Sequence, residues 1–150
     1  MNDWEETKPC DGASLAMRVL HAGSTVGDRI ERSLEPLGLS LAKMGVLRHL
    51  VAAGESLPLG QLAERLSCVR SNVTQLVDRL EGDGLVRRVP DPGDRRSVLA
   101  TLTEQGRRSY AAGALAQAAA EADLLASLSP GDQARLAELL DLLRSPAHAD

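Results

Sequence analysis

The sequence predicts a mainly α-helical chain carrying one small β-hairpin. Three observations point there. Apolar residues recur at spacings of three and four over most of the chain, as on helices with one buried face. The stretch "LVRRVPDPGDRRSVLATL" departs from that rhythm: two β-compatible runs flank a loop of proline, glycine and aspartate. Aromatic residues are nearly absent, with one Trp, one Tyr and no Phe in 150 residues. A core must then be built from Leu, Val and Ala, which suits helices.

The elements follow in order. Residues 1–12 read as a disordered or fraying lead. Leu15, Val19, Ala22, Val26, Ile30 and Leu34 form one long helical face. "EPLGLS" breaks it, since Pro36 and Gly38 are both poor in a helix interior. Ser40 caps a second helix with Met44, Leu47, Leu50 and Val51 inward. After "AAGESLPL" a short third helix turns Leu59, Leu62, Ala63 and Leu66 inward, and "SCV" makes a tight link. A fourth helix runs from about Arg70 to Gly82 with Val73, Leu76, Val77 and Leu80 inward, and Gly84 stops it. "LVRRV", "PDPGDR" and "SVLATL" read as strand, turn and strand, with a turn longer than the tight two-residue type. Thr103 caps an Ala-rich helix reaching roughly Ser127. Ser129, Pro130 and Asp132 then start a last helix with Leu136, Leu139, Leu140 and Leu143 on one face.

The totals exclude several classes. The length suits one compact domain or a small fused pair. No apolar run approaches the ~20 residues of a membrane span. The polar, acidic start "MNDWEETKPCDG" lacks the basic and apolar parts of a signal peptide, so a cytoplasmic protein is expected. Cys10 and Cys68 have no metal spacing and read as reduced thiols. His21, His49 and Cys68 form no ligand set, so neither metal nor cofactor is expected. No catalytic signature appears, and an enzyme is not expected. A stacking platform for single strands would need aromatic faces that the chain lacks. Net charge is −4, but residues 59–108 hold nine Lys/Arg against seven Asp/Glu. The middle of the chain is its only net-basic part, the direction a nucleic-acid footprint requires.

Two helices with a tight link followed by a hairpin make a winged helix-turn-helix. In that motif the second helix enters the major groove with its first residues at base edges. Here Arg70, Ser71, Asn72, Thr74 and Gln75 face outward near its start, with Arg79 further along. Asn and Gln can bond adenine in bidentate fashion, Arg can do so to guanine, and Ser or Thr reach bases or phosphates. A solvated polar face is the plain alternative. The hairpin tip, Asp94, Arg95, Arg96 and Ser97, adds a second basic element. Adjacent arginines on a strand diverge, so one can follow phosphate while the other enters a narrow minor groove. Asp94 is expected to hold one guanidinium by an ion pair, and Arg87 and Arg88 at the base to reach flanking backbone.

"LAERLSCVRSNVTQLVDRLEGDGLVRRVPDPGDRRSVLATLTEQG" resembles the winged-helix core of the MarR family of bacterial transcription regulators, the multiple-antibiotic-resistance type. The specific part is the order of helix end, Gly, strand, D-x-x-D-R-R wing, strand and L-T-x-x-G helix start. Weaker matches extend the resemblance over roughly residues 15–145. It implies a homodimer built on the first and last two helices, with one winged helix per protomer on a palindromic operator. Residues 13–38 and 103–145 would be the helical dimerisation region and 39–102 the DNA-binding lobe, reading the major groove with about 70–82 and the minor groove with 90–97. Arg96 matches the family's wing arginine. Val69 stands where relatives often place an acidic or Ser cap.

The resemblance also implies a repressor released by a small aromatic or phenolic acid, or another anion. Arg18, His21, Thr74, Arg79 and Arg88 match positions that can border such a ligand. Two other readings are a redox-sensing regulator using Cys10 or Cys68, and a helical dimer used for protein interaction without DNA.

Overall fold

The structure is a computed structural model that describes residues 14–67 and 70–144, the side chain of residue 70 excepted. The lead, Cys10, Cys68, Val69 and the side chain of Arg70 lie outside the described residues, and so do the expectations placed on them.

Helix α1 spans Leu15–Leu34, with the Ser14 side chain accepting from the Met17 N–H. It tightens into a 3-10 turn at Glu35–Leu37 and ends at Gly38, whose φ of 68° lies in the left-handed region that glycine enters without cost. Helix α2 (Leu41–Ala52) begins on two acceptors: Ser40 Oγ takes the Lys43 N–H at 3.1 Å, and Glu31 Oε2 takes the Leu41 N–H at 2.8 Å. Met44, Leu47 and Leu50 are buried as expected, but Val51 is exposed and Val46 is buried in its place. Helix α2 packs against helices on several sides, so it buries more than the single stripe that periodicity assumes.

A strand that the sequence reading did not anticipate follows. β1 (Ser56–Pro58) pairs antiparallel with β3 through Ser56↔Thr101, Leu57↔Ala100 and Pro58↔Leu99. Three residues are too few to show alternation, and Pro58 is tolerated because β1 is an edge strand. Helix α3 (Leu59–Leu66) buries Leu62 and Ala63 and ends at Ser67, which is left-handed with φ 52°. Helix α4 (Arg70–Gly82) buries Val73, Val77 and Leu80 with Leu76 packed beside them.

Strands β2 (Val86–Asp91) and β3 (Asp94–Leu102) are longer than expected and their turn shorter. Asp91 pairs with Asp94, leaving Pro92 and Gly93 as the connection, with a register irregularity between Pro90 and Asp91. The expected longer loop is thereby corrected: aspartates assigned to the turn extend the ladder, and the irregularity absorbs the misfit of a proline-bearing strand. The sheet order is β1-β3-β2.

Helix α5 (Glu104–Leu125) starts on Thr103, whose Oγ1 accepts from the Gly106 N–H at 2.9 Å and donates to the Gly84 carbonyl at 2.7 Å. Helix α6 (Pro130–Arg144) starts on Ser129, as expected. No described helix is long and apolar enough to cross a membrane. The fold is mainly α with a small wing sheet, as the sequence predicts. Every buried large apolar side chain among the described residues lies between Leu34 and Leu102. The core therefore sits in the lobe, while α1, α5 and α6 leave large apolar side chains exposed, among them Leu20, Leu115, Leu139 and Leu143.

Candidate nucleic-acid interface

Burial of Val73, Val77 and Leu80 fixes the rotation of α4. Ser71, Asn72, Thr74, Gln75 and Arg79 are consequently turned to its outer side. The first turn of α4 holds no acidic residue, so no carboxylate of its own offsets the positive end of the helix. The wing projects beside it. Thr74 of α4 joins Asp94, Arg96 and Ser97 of β3 around an open groove of about 600 Å³, whose far wall is the start of α3, with Gln61 and Glu64. Gln61 and Glu64 were not singled out from sequence. Only the turn of α3 toward the wing brings them here, and nothing local signals that.

Asp94 differs from expectation. Its Oδ1 accepts the backbone N–H of Arg96 at 2.9 Å, and no ion pair joins it to Arg95 or Arg96 among the described residues. A two-residue turn puts its carboxylate over its own strand, where a nearby N–H competes successfully for it. Asp91 does the same for the Gly93 N–H at 2.9 Å. The carboxylates therefore stiffen the tip, and both wing guanidinia stay exposed.

Arg88 also departs from its expected place. It does not extend toward flanking backbone, since its guanidinium lies against α4, on Asp78 at 2.5 Å and Glu81 at 3.2 Å. Of the five positions proposed to border a ligand, Thr74 and Arg88 meet in the lobe, where Arg88 donates to the Thr74 carbonyl. Arg79 is exposed on α4, and Arg18 and His21 lie on the exposed N-terminal half of α1, which packs mainly on α5.

A smaller cavity of about 130 Å³ opens between α2 and α5, lined by Leu41, Met44, Gly45, Arg48, Tyr110 and Gln117. It offers an apolar floor with a cation, a phenol and an amide. Its residues come from helices far apart in sequence, so no motif announces it. Beside it, burial, together with repulsion from Arg48 and Arg65, holds the His49 imidazole below its usual 6.5. At the start of α5, Arg107 clasps Glu55 and Glu104; the hydrogen bond from Arg107 lowers the Glu55 carboxyl and raises the guanidinium further.

Comparison with known proteins agrees with this arrangement. The MarR family model matches residues 37–97. The chain is 30% identical over 135 residues to an HTH-type transcriptional repressor of Mycobacterium tuberculosis, covering 90% of this chain and 96% of that protein. It is 45% identical over 83 residues to the transcriptional activatory protein BadR of Rhodopseudomonas palustris, a match spanning 53% of this chain and only 46% of that one. The crystal structure of a mutant MarR from E. coli complexed with operator DNA superposes with a TM-score of 0.78 at 26% identity, covering 86% of this chain and 92% of that chain.

Proposed function

The chain belongs to the MarR family of transcriptional regulators, and on that premise we propose that it is a cytoplasmic, homodimeric repressor of a palindromic operator. One observation carries the DNA reading: Thr74 of α4 and Arg96 of the wing border the same solvent-open groove. A helix and a ribbon so placed can address a major groove and the adjoining minor groove together. In this reading Arg70, Ser71, Asn72, Thr74 and Gln75 meet base edges and phosphates. Arg79 and Arg95 add backbone contacts, Arg96 enters the minor groove, and Asp94 and Ser97 shape the tip.

The dimer is supported by the exposed apolar side chains of α1, α5 and α6, which the lobe core does not cover. A two-fold dimer places its recognition helices about one helical turn of DNA apart, matching a palindrome. The chain's role is regulatory, with no chemistry of its own.

An effector step completes the proposal. The α2–α5 cavity is close in size to the ~150 Å³ cavities known to hold one aromatic ring. Arg48 would meet the carboxylate of an aromatic acid there. Of the positions read from the resemblance, Arg18, His21 and Arg79 would contribute through the dimer, whereas Thr74 and Arg88 are already engaged with each other in the lobe. An acid binding this seam releases DNA only if it prefers a lobe spacing that misfits the half-sites.

The test is a titration of the protein against the intergenic DNA upstream of its own gene and against random duplex of equal length. A preference of at least about a thousandfold is expected for a specific regulator. Equal affinity for both duplexes overturns the proposal. Salicylate and related acids should weaken the specific complex, and Arg48→Ala should abolish that effect.

A further inference from the structure

The wing is a two-stranded ribbon for most of its length. β1 pairs with β3 only at residues 99–101, so beyond Leu99 the hairpin has no third strand. Such ribbons are marginal alone and free to swing. Arg88 stands at the root of the ribbon, one residue pair before three strands become two, and is paired across the ladder with Ala100. Alternation along β2 turns Arg88 toward α4 and Arg87 to the other face.

The Arg88 side chain is 27% exposed and reaches three acceptors on α4. Nη2 donates to Asp78 Oδ1 at 2.5 Å and to the Thr74 carbonyl at 3.3 Å, and Nη1 donates to Glu81 Oε2 at 3.2 Å. Residues 74, 78 and 81 are four and three apart, one stripe down the helix. A planar fork spread over such a stripe resists both rotation and sliding of the strand on the helix, which a single point charge does not. One guanidinium facing two carboxylates is also a locally negative cluster, a poor site for a phosphate or a carboxylate ligand.

We infer that Arg88 is a positioning residue: it sets the angle between wing and recognition helix so that both fit one stretch of duplex. The inference rests on reading α4 and the wing as the DNA-contacting surface. It assigns to Asp78 and Glu81 a role opposite to their charge. Acidic groups near DNA oppose binding by field alone, yet here their removal loosens the wing and costs specificity.

The experiment uses the full chain with Asp78→Asn plus Glu81→Gln, and separately Arg88→Lys. Operator and random-duplex affinities are measured over a salt series, and backbone amide exchange is measured on the free protein. The double variant should bind operator about fivefold more weakly, the upper scale of a lost exposed ion pair, with random-duplex binding unchanged or tighter. Arg88→Lys should behave alike although its charge is kept, and neither should reduce the salt slope. Amide exchange across residues 89–98 should quicken in both variants while α2 stays as in the wild type. Tighter operator binding by the double variant, or full operator affinity for Arg88→Lys, overturns the inference. If the wild type shows no operator preference, the DNA reading falls, and exchange alone decides: faster wing exchange supports the clamp and unchanged exchange overturns it.

Discussion

Replacing Gly106 by Ala should destabilise the fold by about 1–3 kcal/mol. Gly106 is buried in the first turn of α5. A Cβ there would fall well inside contact distance of the Leu85 carbonyl oxygen and 2.8 Å from Leu102 Cδ1. The Leu102 methyl can rotate aside. The Leu85 carbonyl cannot move freely, because it accepts the Thr103 N–H at 3.1 Å, a bond that helps seat the start of α5. Overpacking costs about 1–3 kcal/mol and loss of the hydrogen bond about 1, while helix propensity returns about 1. For a chain of this size the net loss is a fall in melting temperature of roughly 2–12 °C. Thermal unfolding followed by circular dichroism at fixed protein concentration measures it, since the melting point of the proposed dimer would move with concentration. Leu85 immediately precedes the wing's first strand, so operator affinity should fall as well, even where the variant is folded. A melting temperature within about 1 °C of the wild type would falsify the backbone-on-backbone contact argued from Leu85.

Three further outcomes are expected. Leu139→Asp places a charge on the exposed apolar face of α6 and should shift the proposed dimer to monomers in sedimentation; the same oligomeric state as the wild type would remove this face from the interface. Arg96→Ala should weaken operator binding strongly, and Arg95→Ala should weaken it less while reducing the salt slope by about 0.9; negligible loss for both removes the wing from the interface. His49 has a folded pKa below the 6.5 of the free side chain because burial disfavours its cation. The unfolded chain then binds the proton more readily. Stability is fully present above pH 6.5 and is lost as pH falls from there through the lowered folded value. His49→Gln should flatten that acid-side loss, and an identical pH profile in both proteins would show that another group carries it.

Helix positions were legible from their apolar periodicity, and the starts of α2, α5 and α6 also from the side-chain caps Ser40, Thr103 and Ser129. Where two or more surfaces share an element, the reading failed. Val46 and Val51 cannot be ranked from spacing when α2 is packed on several sides. β1 was missed because three residues ending in proline hold no pattern, and its existence depends on β3, more than forty residues away. The outward residues of α4 were legible as the remainder once Val73, Val77 and Leu80 were assigned inward. The partners of Arg88 and Asp94 were not. Asp94 had a choice between a guanidinium and a backbone N–H, and only turn geometry decides it. Arg88 had a choice between DNA and the acidic stripe of α4, and only the packing of β2 on that helix decides it.

The Arg88 contact and the seating of α5 on the lobe bear on how an effector can act. Helix α5 is fastened to the lobe at several points. Gly106 abuts Leu85, a Cβ on Gly113 would lie 2.5 Å from Met44 Sδ and 2.9 Å from Leu39 Cδ1, and Arg107 clasps Glu55. Met44 also lines the α2–α5 cavity, so a ligand entering there pushes on the same seam that Gly113 closes. Interiors packed this closely do not deform by degrees. A ligand that parts the seam therefore tilts the lobe as a unit. Within the lobe, Arg88 keeps wing and α4 together, so their mutual angle is held while the separation of the two lobes in the proposed dimer changes. Two properties then become separable by mutation. Damage at Arg88, Asp78 or Glu81 should erode sequence preference with the effector response intact, whereas damage at Gly113 or Arg48 should alter the effector response with sequence preference intact.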